Sequence, residues 1–533
     1  MRLGSPILGI VMLASMQLTA PAAAADARSG CAAATYPSTA WTLCEGKNVA
    51  VSTENPRGHA DLLPGLTAAT TAYQLTRLRA IAKDPERQPN PNVCTTIVVC
   101  AVDPRVTNWA SRGGLEMPVL YTSRSGATMS GHVWATKAGP AKRPGVIVIN
   151  GSIIGYEEAY WGLAQALARQ GFVVMTFDVQ GEGMSDQFGQ APDQREDAFA
   201  ATPGLGGLLS SAGATTGPLS LGGNGLTFYD GTQDALDFFL STPSKPFVPR
   251  RSRLTHTSHA SKQARRVSAG LDNSFNPLWK LLDRSKIGLT GHSYGAQAAA
   301  WLAQKDPRVS AAVALDNLCV PAAPAPDELT SLTTPNPDFS RTPGILRGFE
   351  PECFATPAGP APRTTKPVLG ISSDYLLAPT PFLAPPNPLG KSRASLAYSR
   401  AGVDTGQIVI RGGTHFEFSD LPAGFPASLR GIDLAYWYTT AWFDKYLTGD
   451  PMADRRLLTR RWLADPAAAK ADGSEGGNML SWHFRSRMDI HTTGVGKRVT
   501  CDDLRSGCSP MVAKTRDGWS GEYDFVQAGT RSR

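Results

Sequence analysis

No apolar run in the 533 residues is long enough to cross a bilayer, which takes about 20 mostly apolar residues in a row. The stretch Pro6 to Leu18 is too short, and no later window approaches the length. A transmembrane segment is therefore not expected. Charge is also scarce: charged residues make up 18% against 42% hydrophobic, so a large core can form. The net charge of +7 is too diffuse to mark a nucleic-acid surface. The densest basic run, Arg250 to Arg266, is rich in Ser, Thr and His and reads as a solvated loop, with a surface for acidic partners as the alternative. No Cys-x-x-Cys and no cysteine–histidine cluster at ligand spacing is present, which disfavours zinc. The pair Gly181-x-Gly183 lacks a third glycine and an immediate helix, so a dinucleotide site is not expected. Internal repeats are absent. No cofactor or metal is implied.

The N-terminus reads as a targeting segment. Met1-Arg2, the apolar stretch and an Ala-rich run ending at Ala25 have the pattern of a secretory signal, cleaved near Ala24 or Ala25. A secreted or periplasmic location follows. Cys31 lies beyond the apolar core, so a lipid anchor is not expected. In an exported chain the eight cysteines suggest disulfides, and sequence neighbours offer the pairs Cys31–Cys44, Cys94–Cys100, Cys319–Cys353 and Cys501–Cys508.

Composition divides the remainder into an N-terminal extension (26–110), an α/β domain (111–450) with insertions at about 187–275 and 320–366, and a C-terminal extension (451–533). The extension holds one helical pattern, Leu62 to Lys83. Pro118–Thr122 and Thr128–Thr136 read as a hairpin. Continuous apolar runs at 145–149, 172–177, 309–315, 367–371 and 407–410 read as strands of a sheet buried on both faces. Helical patterns at 157–170, 228–240 and 432–447 alternate with them, which indicates a mostly parallel α/β sheet with helices on both faces. The aromatics of 432–447 read as core. A short β-like stretch is expected around Trp482 and Phe484, and the polar insertion of 242–275 is expected to leave His256 and His259 solvated.

The stretch from Lys286 to Ala300 organises the rest. A strand ends at Thr290, Gly291-His-Ser-Tyr-Gly295 makes a sharp turn, and an Ala-rich helix follows. Such a turn needs small residues beside the serine and lifts the Ser293 hydroxyl clear of the sheet. A serine hydroxyl is a weak nucleophile without a positioned base. Of the histidines that follow Ser293, His415, His483 and His491, only His415 comes after a buried strand and two glycines. His292, inside the motif, is expected to support the turn. The acid that orients the base is Asp316 or Asp374, both at strand ends. Tyr294 is expected to give one backbone donor to an oxyanion hole. The other is expected from the loop after the first buried strand, at Ser152, with Ile153 as the alternative.

These residues resemble the α/β-hydrolase superfamily over about Leu115 to Gly449. Within it, Gly291-His-Ser-Tyr-Gly295, Val313-Ala-Leu-Asp316, Ile371-Ser-Ser-Asp-Tyr375 and Ile410-Arg-Gly-Gly-Thr-His-Phe-Glu-Phe-Ser-Asp420 are similar to the platelet-activating-factor acetylhydrolase and bacterial secreted esterase group. That resemblance implies Asp316 as the acid, whereas the general superfamily position maps to Asp374. The group's histidine–glycine at the oxyanion loop is Asn150-Gly151 here, so only the backbone role carries over. The implied activity is hydrolysis of a small-molecule or polymeric carboxylic ester through an acyl-enzyme. A peptidase or amidase, and a non-catalytic binding protein on the same scaffold, are the competing readings.

Overall fold

The computed structural model describes residues 31–508 apart from 32–33, 55–59, 61–62, 88–101, 104, 152–154, 187–225, 254, 323–351, 354–356, 358, 421–424, 429–430, 459–479 and 507. The expected signal segment and the Cys94–Cys100 pair lie outside the described residues.

Among the described residues one ten-stranded sheet forms the centre of the fold. Its strands are β1 (Gly114–Thr122), β2 (Thr128–Thr136), β3 (Arg143–Ile149), β4 (Val173–Phe177), β5 (Leu282–His292), β6 (Val309–Leu315), β7 (Val368–Ser373), β8 (Thr405–Ile410), β9 (Arg487–His491) and β10 (Arg498–Cys501). The spatial order is β1-β2-β4-β3-β5-β6-β7-β8-β9-β10. From β4 to β8 neighbouring strands are parallel. The hairpin β1–β2 flanks one side, and β9–β10 the other, antiparallel. The parallel strands carry the apolar runs because helices cover both faces. On one face lie α3 (Trp161–Arg169) and α8 (Gly431–Phe443), and on the other α4 (Leu226–Phe239), α6 (Tyr294–Lys305) and α7 (Arg393–Arg400). The aromatics Tyr436, Trp437, Tyr438, Trp442 and Phe443 of α8 are all buried.

Two helices of the N-terminal segment pack on this body: α1 (Thr39–Val51) and α2 (Leu63–Ala82). From α2, Arg77 reaches the Ser130 hydroxyl and lies 3.5 Å from the buried Glu158 carboxylate.

Three expectations are corrected. Residues 260–268 form a helix, α5 (Ala260–Ser268), rather than a solvated loop. Two of its three cations are buried: Arg266 bonds Asp84 at 2.8 Å and Asp272 at 2.9 Å, and Lys262 donates to Gly126 O, whereas Arg265 pairs with Glu86 at the surface. A guanidinium is tolerated in the interior when carboxylates surround it. His259, at the start of this helix, is buried, while His256 is exposed. The C-terminal strand pair begins at Arg487, past Trp482 and Phe484, because there the polar–apolar alternation places Met488 and Ile490 in the core.

Candidate active site

The register of the sheet decides which loops meet. Ile149 pairs with Gly291, Gly291 with Ala314, and Leu315 with Ile371. The turns after β3, β5, β6, β7 and β8 therefore emerge along one carboxyl edge, where open α/β sheets gather functional groups.

The turn after β5 is tight. Ser293 has φ 59° and ψ −121°, a strained backbone for any residue with a side chain. It is held by its N–H to Leu315 O at 2.9 Å and by the close approach of the two flanking glycines to their surroundings. A Cβ on Gly291 would run into Gly295 O, and one on Gly295 would lie 2.6 Å from Asn150 O. Helix α6 starts at Tyr294, so its positive N-terminal end lies directly after the serine.

Asp316 follows β6 and is 2% exposed, and its Oδ2 lies 2.7 Å from His415 Nδ1. His415 opens a 3₁₀ turn (His415–Phe418) after β8. A carboxylate at Nδ1 holds the proton there and leaves Nε2 with a lone pair. Asp374, after β7, meets a different set of partners: its Oδ2 accepts from Gly412 N–H at 2.8 Å and from Asn48 Nδ2 at 2.9 Å. The other two histidines are engaged elsewhere, His483 with Glu45 and His491 with Asp404 at 2.6 Å. Ser152 and Ile153 lie outside the described residues; Gly151, just before them, is described, and a Cβ on it would lie 3.3 Å from Ser293 Cβ.

His292 is buried, its ring centroid 4.4 Å from that of His415. Burial, and then the neighbouring His415, hold its pKa well below the ordinary value, so it is neutral. The Tyr160 phenol explains how it is held. The hydroxyl accepts from Gly151 N–H at 3.2 Å and lies in hydrogen-bond contact with His292 Nδ1 at 2.7 Å. One phenol thus ties the loop after β3 to the turn after β5. The sequence gives Tyr160 no distinguishing mark: it reads as one more apolar-face residue of a helix, and its role comes from contacts 9 and 132 residues away.

A cavity of about 320 Å³ opens beside Asp316. Asn317, Leu318, Leu376 and Phe484 line it, with Lys391 and Arg393 among its walls.

Two buried carboxyls sit just past His415. Burial pushes Glu417 up to about 8 against hydrogen bonds from Ser428, and pushes Asp420 up to about 7 against those from Tyr436 and Gly162. A raised carboxyl pKa means that the folded protein holds a proton that the unfolded chain releases. For Glu417 the stabilisation is complete below about 4.5 and is lost as pH rises to about 8. Glu417→Gln is therefore expected to gain thermal stability relative to wild type as pH is raised from 5 to 8. Melting curves at several pH values check this; a Tm difference that does not change with pH would contradict it.

No protein-family model matches the chain, and no curated protein matches it. Among solved structures it is similar to a ferulic acid esterase from Streptomyces cinnamoneus, at 15% identity over 63% of this chain and 90% of that one, with a TM-score of 0.36. It is similar to a protein of Klebsiella pneumoniae subsp. pneumoniae MGH 78578 described as a dienelactone hydrolase, at 14% identity over 62% and 99%, TM-score 0.33. A puromycin-hydrolyzing peptidase of Mycobacterium tuberculosis is similar at 11% identity over 62% and 39%, TM-score 0.33. The strand order, the helices on both faces and the sharp strand–serine–helix turn after β5 give this chain the α/β-hydrolase fold.

Proposed function

We propose that the protein is an exported serine hydrolase that cleaves carboxylic esters. Ser293 attacks the carbonyl, His415 Nε2 takes the hydroxyl proton and returns it to the leaving alcohol, and Asp316 keeps the imidazole in the tautomer that can do so. Backbone N–H groups of Tyr294 and Ser152 receive the oxyanion. Water then repeats the cycle to release the acid. The observation that carries this reading is the 2.7 Å contact of the Asp316 carboxylate with His415 Nδ1, on the same sheet edge as a serine held at φ 59°. An acid after β6 is also what the resemblance to the platelet-activating-factor acetylhydrolase and bacterial esterase group implies.

Export belongs to the same reading. Cys31–Cys44, Cys319–Cys353 and Cys501–Cys508 are bonded, as expected of a chain that matures in an oxidising compartment. Among the described residues no helix is long and apolar enough to cross a membrane.

A panel of aryl and alkyl esters beside matched anilides and short peptides tests the proposal. Turnover of esters at least about 100-fold faster than of the matched amides is expected. Faster amide cleavage would replace the esterase with a peptidase, and no turnover of either class would remove the enzymatic reading.

A further inference from the structure

The loop that carries His415 is gripped from two sides. On one side, residues 374–376 continue β7 and zip onto it. Asp374 N–H donates to Ile410 O at 3.1 Å, Tyr375 N–H to Gly413 O at 3.0 Å, and His415 N–H to Leu376 O at 2.7 Å. On the other side lies α1. Gly412 has φ +61°, and a Cβ there would meet Asn48 O and the Val51 side chain, so helix and loop touch through backbone. Between the two, Asp374 Oδ2 joins the Gly412 N–H to the Asn48 amide, which also donates to Tyr375 Oη at 3.0 Å. Asn48 is fully buried and Asp374 is 3% exposed. A helix that only covered the loop would do so with apolar side chains, since burying an amide is costly unless its hydrogen bonds are made. A buried amide aimed at one carboxylate fixes a position. The helix is itself anchored: Cys44 is bonded to Cys31, Glu45 pairs with His483, and Glu45 also accepts from Phe382 N–H at 2.8 Å.

We propose that Asn48 and Asp374 form a clamp that positions the His415 loop for proton transfer. The N-terminal helix is then a working part of the active site rather than an appendage. This inference rests on the serine-hydrolase reading above. Asn48 and Asp374 touch no reacting atom in it; they act through the loop, and a small misplacement of a catalytic group is felt mainly in the rate.

The test uses the full chain. Asn48→Ala is expected to lower kcat about tenfold with KM within about twofold of wild type, because substrate contacts are left in place. Hydrogen–deuterium exchange of peptides spanning 409–418 is expected to speed up, since Gly412 N–H then donates to a carboxylate that has lost its tether. Asn48→Ala combined with Asp374→Ala is expected to cost no more than Asp374→Ala alone, as members of one unit do. Should Asn48→Ala fold poorly, Asn48→Asp decides. It sets a second carboxylate against Asp374, and the pair is relieved only when one of them takes a proton. Its kcat relative to wild type should therefore rise as pH falls from 8 to 5, which a mere packing defect would not produce. Glu45, Glu54, Tyr375, Arg411, Glu417, His483 and the His415–Asp316 pair are the other titratable or charged groups around helix and loop; both proteins carry them, so the ratio removes their direct effect.

Unchanged exchange at 409–418 together with wild-type kcat in Asn48→Ala would overturn the clamp, as would a pH-independent ratio for Asn48→Asp. The exchange experiment needs no substrate. If the wild type hydrolyses neither esters nor amides while exchange still responds to Asn48→Ala, the hydrolase reading fails and the clamp as a structural device survives. If ester turnover is robust and neither readout responds, only the clamp fails.

Discussion

Ser293→Ala is expected to lower kcat for ester hydrolysis by about 10⁴-fold or more, with a melting temperature close to wild type. The size follows from chemistry: without the hydroxyl no acyl-enzyme can form, and what remains is the contribution of substrate binding and the oxyanion donors. The preserved fold follows from geometry. The strained conformation at position 293 is imposed by its surroundings, through the N–H to Leu315 O and the glycines on either side, and none of these involves the Ser293 hydroxyl. Alanine and serine meet the same backbone penalty at φ 59°. Steady-state kinetics and a melting curve on the same preparation check both parts. Retained turnover in a folded variant would dismiss Ser293 as the nucleophile.

The second large effect separates two aspartates. Asp316→Asn is expected to cost about 10³- to 10⁴-fold in kcat, and Asp374→Asn about tenfold. An asparagine at 316 can present its amide to His415 Nδ1 and reverse the tautomer. Nε2 would then carry a proton and could not accept one from Ser293. An asparagine at 374 keeps a carbonyl oxygen able to accept from Gly412 or Asn48, so the loop is loosened rather than freed. The contrast is informative because both residues stand at strand ends on one sheet edge and both are buried. If Asp374→Asn proved the more damaging, the 2.7 Å contact between Asp316 and His415 would have to be reinterpreted as structural.

How much of this could be read from residues alone depends on whether the signal is local. Apolar runs such as Val146 to Ile149 and Val309 to Leu315 announce buried parallel strands, because they are short and alternate with longer helical patterns. The turn at Ser293 is legible for the same reason: its glycines are demanded by contacts made within the motif and with the strand beside it. Three of the cysteine pairs are close in sequence and are found bonded. Helices α1, α5 and α7 left weaker traces. Residues 260–268 are polar, and the buried Arg266 among them is offset by Asp84 and Asp272, the first of them far away in the chain. Charge read along the sequence looked like solvation, which holds for Arg250, Arg251 and Arg265, whereas Arg266 is held in an internal ion-pair network. Asn48 and Tyr160 have no local mark at all. Their meaning comes from partners 326 and 132 residues distant. Conversely, Arg487 to His491 carries a period-two pattern that outranks the nearby aromatics Trp482 and Phe484, and it was there to be read.

The most direct test is to treat the protein with a fluorophosphonate and locate the adduct by peptide mass mapping. A single adduct on Ser293 is expected, formed at a rate that falls at least about 10³-fold in His415→Ala. An adduct on another residue, or labelling of Ser293 that ignores the loss of His415, would contradict a serine activated by that imidazole.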